Sequence, residues 1–150
     1  MKGMKNGYAS LAVQSAFSGV IMYLAMFVMI DGLGSFYNNL NMLYMTLIML
    51  APMTIGMTLG MMSMFPNKRA NAAILVVSAV ALLGSFALIR TQTTIGDTAF
   101  LRSMIPHHSG AILMCREAKL RDPEVKRLCG EIIKSQRQEI DEMKGILQRL

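Results

Sequence analysis

His107 and His108 are the only two histidines of a 150-residue chain, and they stand side by side in Met104-Ile105-Pro106-His107-His108. Residues three, four and seven apart share a helix face. That spacing aligns Met104, His108 and Cys115 on one strip and Met104, His107 and Met114 on another. A later segment offers Gln136, Glu139, Ile140 and Met143 at similar intervals. Imidazole with thioether is a soft donor set that suits copper, and copper(I) above all. A carboxylate from Glu139 would harden the set toward copper(II), zinc or iron. Pro106 leaves the Arg102 carbonyl without its helical donor and bends the helix locally, which is expected to turn both imidazoles toward one place. The expected metal ligands are therefore Met104, His107, His108, Met114, Glu139 and Met143, with Gln136 orienting an imidazole. The plainer alternative keeps the histidines as surface residues and the methionines as core.

Two helices must position these groups. Asp97 is expected to cap the first, whose apolar residues recur as Phe100, Met104, Ala111, Met114, Cys115 and Ala118. Arg121-Asp122-Pro123-Glu124 reads as a stop followed by a start, with Asp122 as cap and Pro123 at the first helical position. The second helix carries Val125, Leu128, Cys129, Ile132, Ile133, Ile140, Met143, Ile146, Leu147 and Leu150 on one broad face. His108 and Gln136 are equally far from Asp122, so an antiparallel hairpin is expected to set them at one level, with Glu139 and Met143 one and two turns beyond. Cys115 and Cys129 lie seven residues to either side of Asp122. A disulfide stapling the hairpin is expected in an oxidising compartment, and free thiols near His108 are the alternative. A hairpin this small buries its apolar stripe poorly alone. A second copy, giving a four-helix bundle in a homodimer, is the simplest remedy; packing on the preceding helices is the other.

The first two-thirds of the chain is of another kind. Asp31 is the only charged residue between Lys5 and Lys68, and residues 70–89 hold none. Residues 9–30, 40–64 and 70–89 are each long and apolar enough to cross a bilayer, which takes about 20 residues. The first run is too long for a secretory signal and is expected to stay as a span. Lys2 and Lys5 precede the first run, and Lys68 and Arg69 separate the second from the third, whereas residues 31–39 carry no positive charge. The excess of basic residues marks the cytoplasmic side. The N-terminus is thus expected inside a bacterial inner (plasma) membrane and the C-terminal hairpin outside, periplasmic or extracellular. Met42, Met45, Met49, Met53, Met57, Met61 and Met64 draw a stripe down the second run, either as packing residues or as a thioether path. The net charge of +6 describes no single surface, and the mixed signs without stacking aromatics argue against nucleic acid.

The C-terminal part also resembles a known family. Phe100-Leu101-Arg102-Ser103-Met104-Ile105-Pro106-His107-His108-Ser109-Gly110-Ala111 and Gln136-Arg137-Gln138-Glu139-Ile140-Asp141-Glu142-Met143 are similar to the domain of unknown function 305 family, in which Met-x-Pro-His-His is followed by Gln-x-x-Glu-Ile-x-x-Met. The resemblance covers residues 97–147 and implies a ferritin-like fold. Many members carry two such hairpins and this chain carries one, a departure that favours dimerisation. Some members are secreted or membrane-anchored copper-binding proteins, so the resemblance implies copper handling outside the cytoplasm.

The expected architecture is all-α: three transmembrane helices over residues 1–90, a linker over 91–96 and a soluble helical hairpin over 97–150. The expected function is non-enzymatic binding of a copper ion for sequestration, delivery or resistance, with lipid, metal and a second copy as partners. A membrane scaffold without metal is the alternative. A metal oxidoreductase ranks last, because the Glu-x-x-His repeats of ferritin-like redox centres are missing.

Overall fold

The computed structural model describes residues 2–150. The side chains of Lys2 and Lys5, on which the orientation of the first span partly rests, lie outside the described residues. The helices are α1 (Lys2–Ala25), α2 (Leu40–Gly60), α3 (Lys68–Thr91), α4 (Asp97–Glu117) and α5 (Pro123–Arg149), with short 3-10 turns at Met26–Met29, Leu33–Ser35 and Met62–Met64. The chain divides into two compact units. One joins residues up to Ala25 with Asn41–Thr94, and the other joins Met26–Leu40 with Ile95–Leu150.

In the first unit, Gly7–Met29, Leu40–Gly60 and Lys68–Thr91 are long and apolar enough to cross a membrane. The second of these stops four residues before the expected end. Pro66 disfavours helix at the residue before it, and Met62–Met64 turns instead. Asn67 then caps α3 by accepting hydrogen bonds from the Arg69 and Ala70 amides, both at 3.1 Å. Within its own bounds α2 runs on through Pro52. Apolar side chains such as Val77, Val80 and Leu83 point outward, while Thr46, Thr58, Ser78 and Ser85 are buried. Such small polar residues suit close helix packing in lipid. Thr46, Thr54 and Thr58 each donate to the carbonyl four residues back, at 2.8, 3.0 and 2.8 Å, which satisfies the hydroxyl without water.

Gln92 adopts a left-handed φ of 53° where α3 ends. Its amide exchanges hydrogen bonds with that of Asn41, at 3.0 and 3.3 Å.

The second unit is the hairpin of α4 and α5 together with the connection between the first two apolar helices. Its core is Leu101, Ile105, Ile112, Ile140 and Met143, with Tyr37, Met104, Ile133 and Leu147 packed against it. The connection therefore covers part of the apolar stripe. Asp31 forms an ion pair with Arg116, and its amide donates to Ser109 Oγ at 2.7 Å. Gly110 permits the approach: a Cβ there would sit 3.4 Å from the Met29 carbonyl oxygen. At the start of α4 the cap is Gly96, with no side-chain capping bond. Asp97 stands one residue inside, in the first turn, where its charge still favours the exposed amides. Asp122 caps α5 as expected, accepting from the Glu124 and Val125 amides at 2.8 and 3.0 Å.

Candidate functional site

His108 is buried on α4, beyond a proline that the helix absorbs without breaking. Its Nδ1 lies 2.8 Å from the Met104 carbonyl oxygen. Its Nε2 lies 2.7 Å from Glu139 Oε2, across the hairpin on α5. The other carboxylate oxygen of Glu139 accepts from Ser135 Oγ at 2.6 Å. A carbonyl and a carboxylate are both acceptors, so the arrangement is complete when each ring nitrogen carries a hydrogen. A hydrogen bond to the ionised carboxylate belongs to the stronger class. The Ser135 hydroxyl, with the His108 contact adding to it, holds the Glu139 carboxyl below its usual range against an opposing effect of burial.

The partner of His108 is thus Glu139 rather than Gln136. Side chains on a helix lean toward its N-terminus. In an antiparallel hairpin those of α4 therefore lean away from the turn and those of α5 toward it. The meeting residue on α5 is displaced one turn further along than counting from Asp122 suggests. Gln136 is partly buried and makes no hydrogen bond to either imidazole among the described residues.

The remaining expected ligands divide. Met143 is in the core one turn beyond Glu139, and Met104 packs against that core one turn before His108. His107 is exposed, its ring perpendicular to that of His108 with centroids 6.0 Å apart. Successive helical residues diverge by about 100°, and the proline in α4 does not overcome that divergence. Met114 is exposed as well. Among the described residues no three His, Cys, Asp or Glu side chains are grouped to hold a metal ion.

Cys115 and Cys129 are joined as a disulfide with their Cα atoms 5.3 Å apart. The close approach is possible because α4 ends two residues beyond Cys115. Sequence reasoning missed Ser135, although it stands four residues before Glu139 and so shares its face. It also left Asp31 unassigned. A lone charge beside the end of a long apolar helix calls for a counter-ion, and the Arg116 guanidinium supplies one, its proton held more firmly by Glu117 and by Asp31.

These features place the chain among small all-α proteins in which helices of membrane-crossing length precede a stapled helical hairpin. Residues 86–149 match the family described as "Domain of unknown function (DUF305)". "Uncharacterized protein L153" of Acanthamoeba polyphaga mimivirus is 34% identical over 147 residues, covering 96% of this chain and 93% of the viral protein. The C-terminal part of the chain is thus a DUF305 domain, and the chain belongs with the viral protein in one family, their similarity extending through all three apolar helices. No solved structure matches it.

Proposed function

We propose that this protein is a membrane-anchored metal-binding protein whose hairpin takes up copper outside the cytoplasm, for sequestration, delivery or resistance. The observation that carries the reading is the convergence of His108 Nε2 and Glu139 Oε2 at 2.7 Å from two different helices. Bonds of about 2.0–2.1 Å to nitrogen and oxygen place neighbouring donors roughly 2.9–3.4 Å apart. The pair therefore fits one edge of a coordination sphere after loss of the shared hydrogen and a spread of a few tenths of an ångström. Met104 and Met143, one turn away on each helix and packed in or against the same core, would supply the thioethers, and Ser135 steadies the carboxylate. His107 and Met114 join only if a metal or a second copy draws them in. A hairpin on the far side of a plasma membrane of the bacterial inner-membrane type accords with the basic residues Lys68 and Arg69 beside the second and third spans, and with a disulfide in an oxidising compartment.

Titration of the full chain in detergent with copper(I) and copper(II), against competing chelators, tests this. His108→Ala and Glu139→Gln are each expected to weaken binding roughly 10–100-fold or more, the range that disturbing a metal site gives. His107→Ala is expected to change it less. Affinity unaltered by His108→Ala removes the site.

A second reading, a membrane scaffold without metal, is favoured by one observation: both ring nitrogens of His108 already have partners. In that reading the pair is a clasp, and the exposed Phe100, Leu128 and Leu150 meet a second hairpin in a four-helix bundle. Wild-type protein that binds no copper yet sediments as a dimer supports it.

A further inference from the structure

The second unit contains a cavity that the His108–Glu139 pair does not use. It has a volume of about 220 Å³, is open on one side, and is lined by Asp31, Ser35, Ser109, Arg137, Ile140 and Asp141. Asp31 is already held by Arg116, which lies outside the lining, so the charged groups of the lining left over are Arg137 and Asp141. Arg137 and Asp141 have no ion pair or hydrogen bond among the described residues, and both are exposed. A free guanidinium and a free carboxylate thus stand one helical turn apart on α5 at the opening.

We propose that this cavity binds a phosphoethanolamine group, the zwitterionic headgroup of a membrane lipid. A guanidinium matches the oxygens of a phosphodiester. The Asp141 carboxylate accepts hydrogen bonds from a primary ammonium. Quaternary ammonium groups are recognised instead by aromatic cages, and no aromatic side chain lines the cavity. The size is right for a headgroup alone, being below the roughly 300–1,000 Å³ of drug-sized pockets, with the open side left for the rest of the lipid. Position supports a bilayer source. Asp31 follows the membrane-length segment Gly7–Met29 by two residues, and Ser35 precedes Leu40–Gly60 by five. Between them Leu33 is 89% exposed, an apolar side chain suited to the membrane interface. The proposal does not depend on the metal reading, and the test below contains no metal.

Native mass spectrometry of the full chain in detergent, incubated separately with phosphatidylethanolamine, phosphatidylcholine and phosphatidylglycerol, tests it. Wild type is expected to retain the ethanolamine lipid about tenfold more tightly than the choline lipid, the preference that one charged hydrogen bond provides. Asp141→Asn is expected to abolish that preference, and Arg137→Gln to weaken retention of the ethanolamine and choline lipids alike; both residues are on the surface of α5. Arg127→Gln, outside the cavity, should leave preference and retention intact. A soluble glycerophosphoethanolamine arm separates the sources: binding of lipid alone assigns the group to the bilayer, and displacement by the soluble diester assigns it to either source. Equal retention of all three lipids by wild type overturns the proposal, as does a preference that survives in the doubly substituted protein.

Discussion

Two acceptors flank one imidazole at His108, and that imbalance determines how the residue behaves. The Glu139 carboxyl is held below its ordinary value of 4.5, chiefly by Ser135. A group whose folded-state pKa is depressed contributes stability above its unfolded pKa, and the contribution is lost as pH falls through the folded value. Thermal unfolding of the full chain, followed by circular dichroism, is thus expected to shift to lower temperature on acidification through the carboxylate range. Glu139→Gln should lower the transition at neutral pH and flatten its dependence below. A slope that Glu139→Gln leaves unchanged assigns the acid sensitivity elsewhere. Ser135→Ala is expected to move the Glu139 titration upward, as carboxylate NMR shifts would report. The chemistry-bearing residues here were legible in the sequence as types: His108, Glu139, Met104 and Met143 all stand at helical spacing. Their pairing was not. Counting from Asp122 treats both helices as smooth rods, whereas side-chain lean shifts the register by a turn. His107 shows a further limit, because a proline's local bend is set by what packs on the helix rather than by the proline alone.

Elements meet in this hairpin through one close approach and one covalent staple. Gly110 has the Met29 carbonyl within van der Waals reach of a hypothetical Cβ. Gly110→Val is therefore expected to cost about 1–3 kcal/mol through overpacking and to release the connection, with faster amide exchange at Asp31. Ser109→Ala, which removes the acceptor of that amide, should cost about 1 kcal/mol. Exchange rates at Asp31 that match wild type in both variants would contradict the docking. The staple closes a separation of 14 residues, for which loop-closure entropy gives about 3 kcal/mol. Replacing Cys115 and Cys129 together by serine is expected to lower hairpin stability by up to that amount. Helix existence and most boundaries followed from capping and punctuation: Asp122, Pro123 and Asn67 each act where their chemistry predicts. The role of residues 26–40 did not follow. Nothing local in Gly32-Leu33-Gly34-Ser35 announces a partner 70 residues away, and the long-range signals were a single charge at Asp31 and a glycine inside α4.

Across the whole molecule, the packing of the connection on the hairpin carries a topological consequence. Residues 26–40 follow one apolar helix of membrane-crossing length and the hairpin follows three, so a bilayer crossed by all three would have both on the same side. Membrane-impermeant maleimide, applied to sealed cells and to inverted vesicles, is accordingly expected to label Leu33→Cys and Gly130→Cys from one and the same side and Ser63→Cys from the other. Labelling of Leu33→Cys and Gly130→Cys from opposite sides would be incompatible with the second unit. Charge placement and hydropathy made the three long helices plain from sequence, since few other folds tolerate such uncharged runs. The destination of the hairpin's remaining apolar residues was not legible, because an exposed Phe100 or Leu150 looks alike whether it meets lipid or a second copy. Metal content bears most directly on the central claim that His108 and Glu139 form a copper site. Full-length protein purified from copper-supplemented cells, assayed by plasma mass spectrometry, is expected to carry stoichiometric copper that His108→Ala and Glu139→Gln lose. Copper-free wild-type protein, or copper retained equally in both variants, would contradict it.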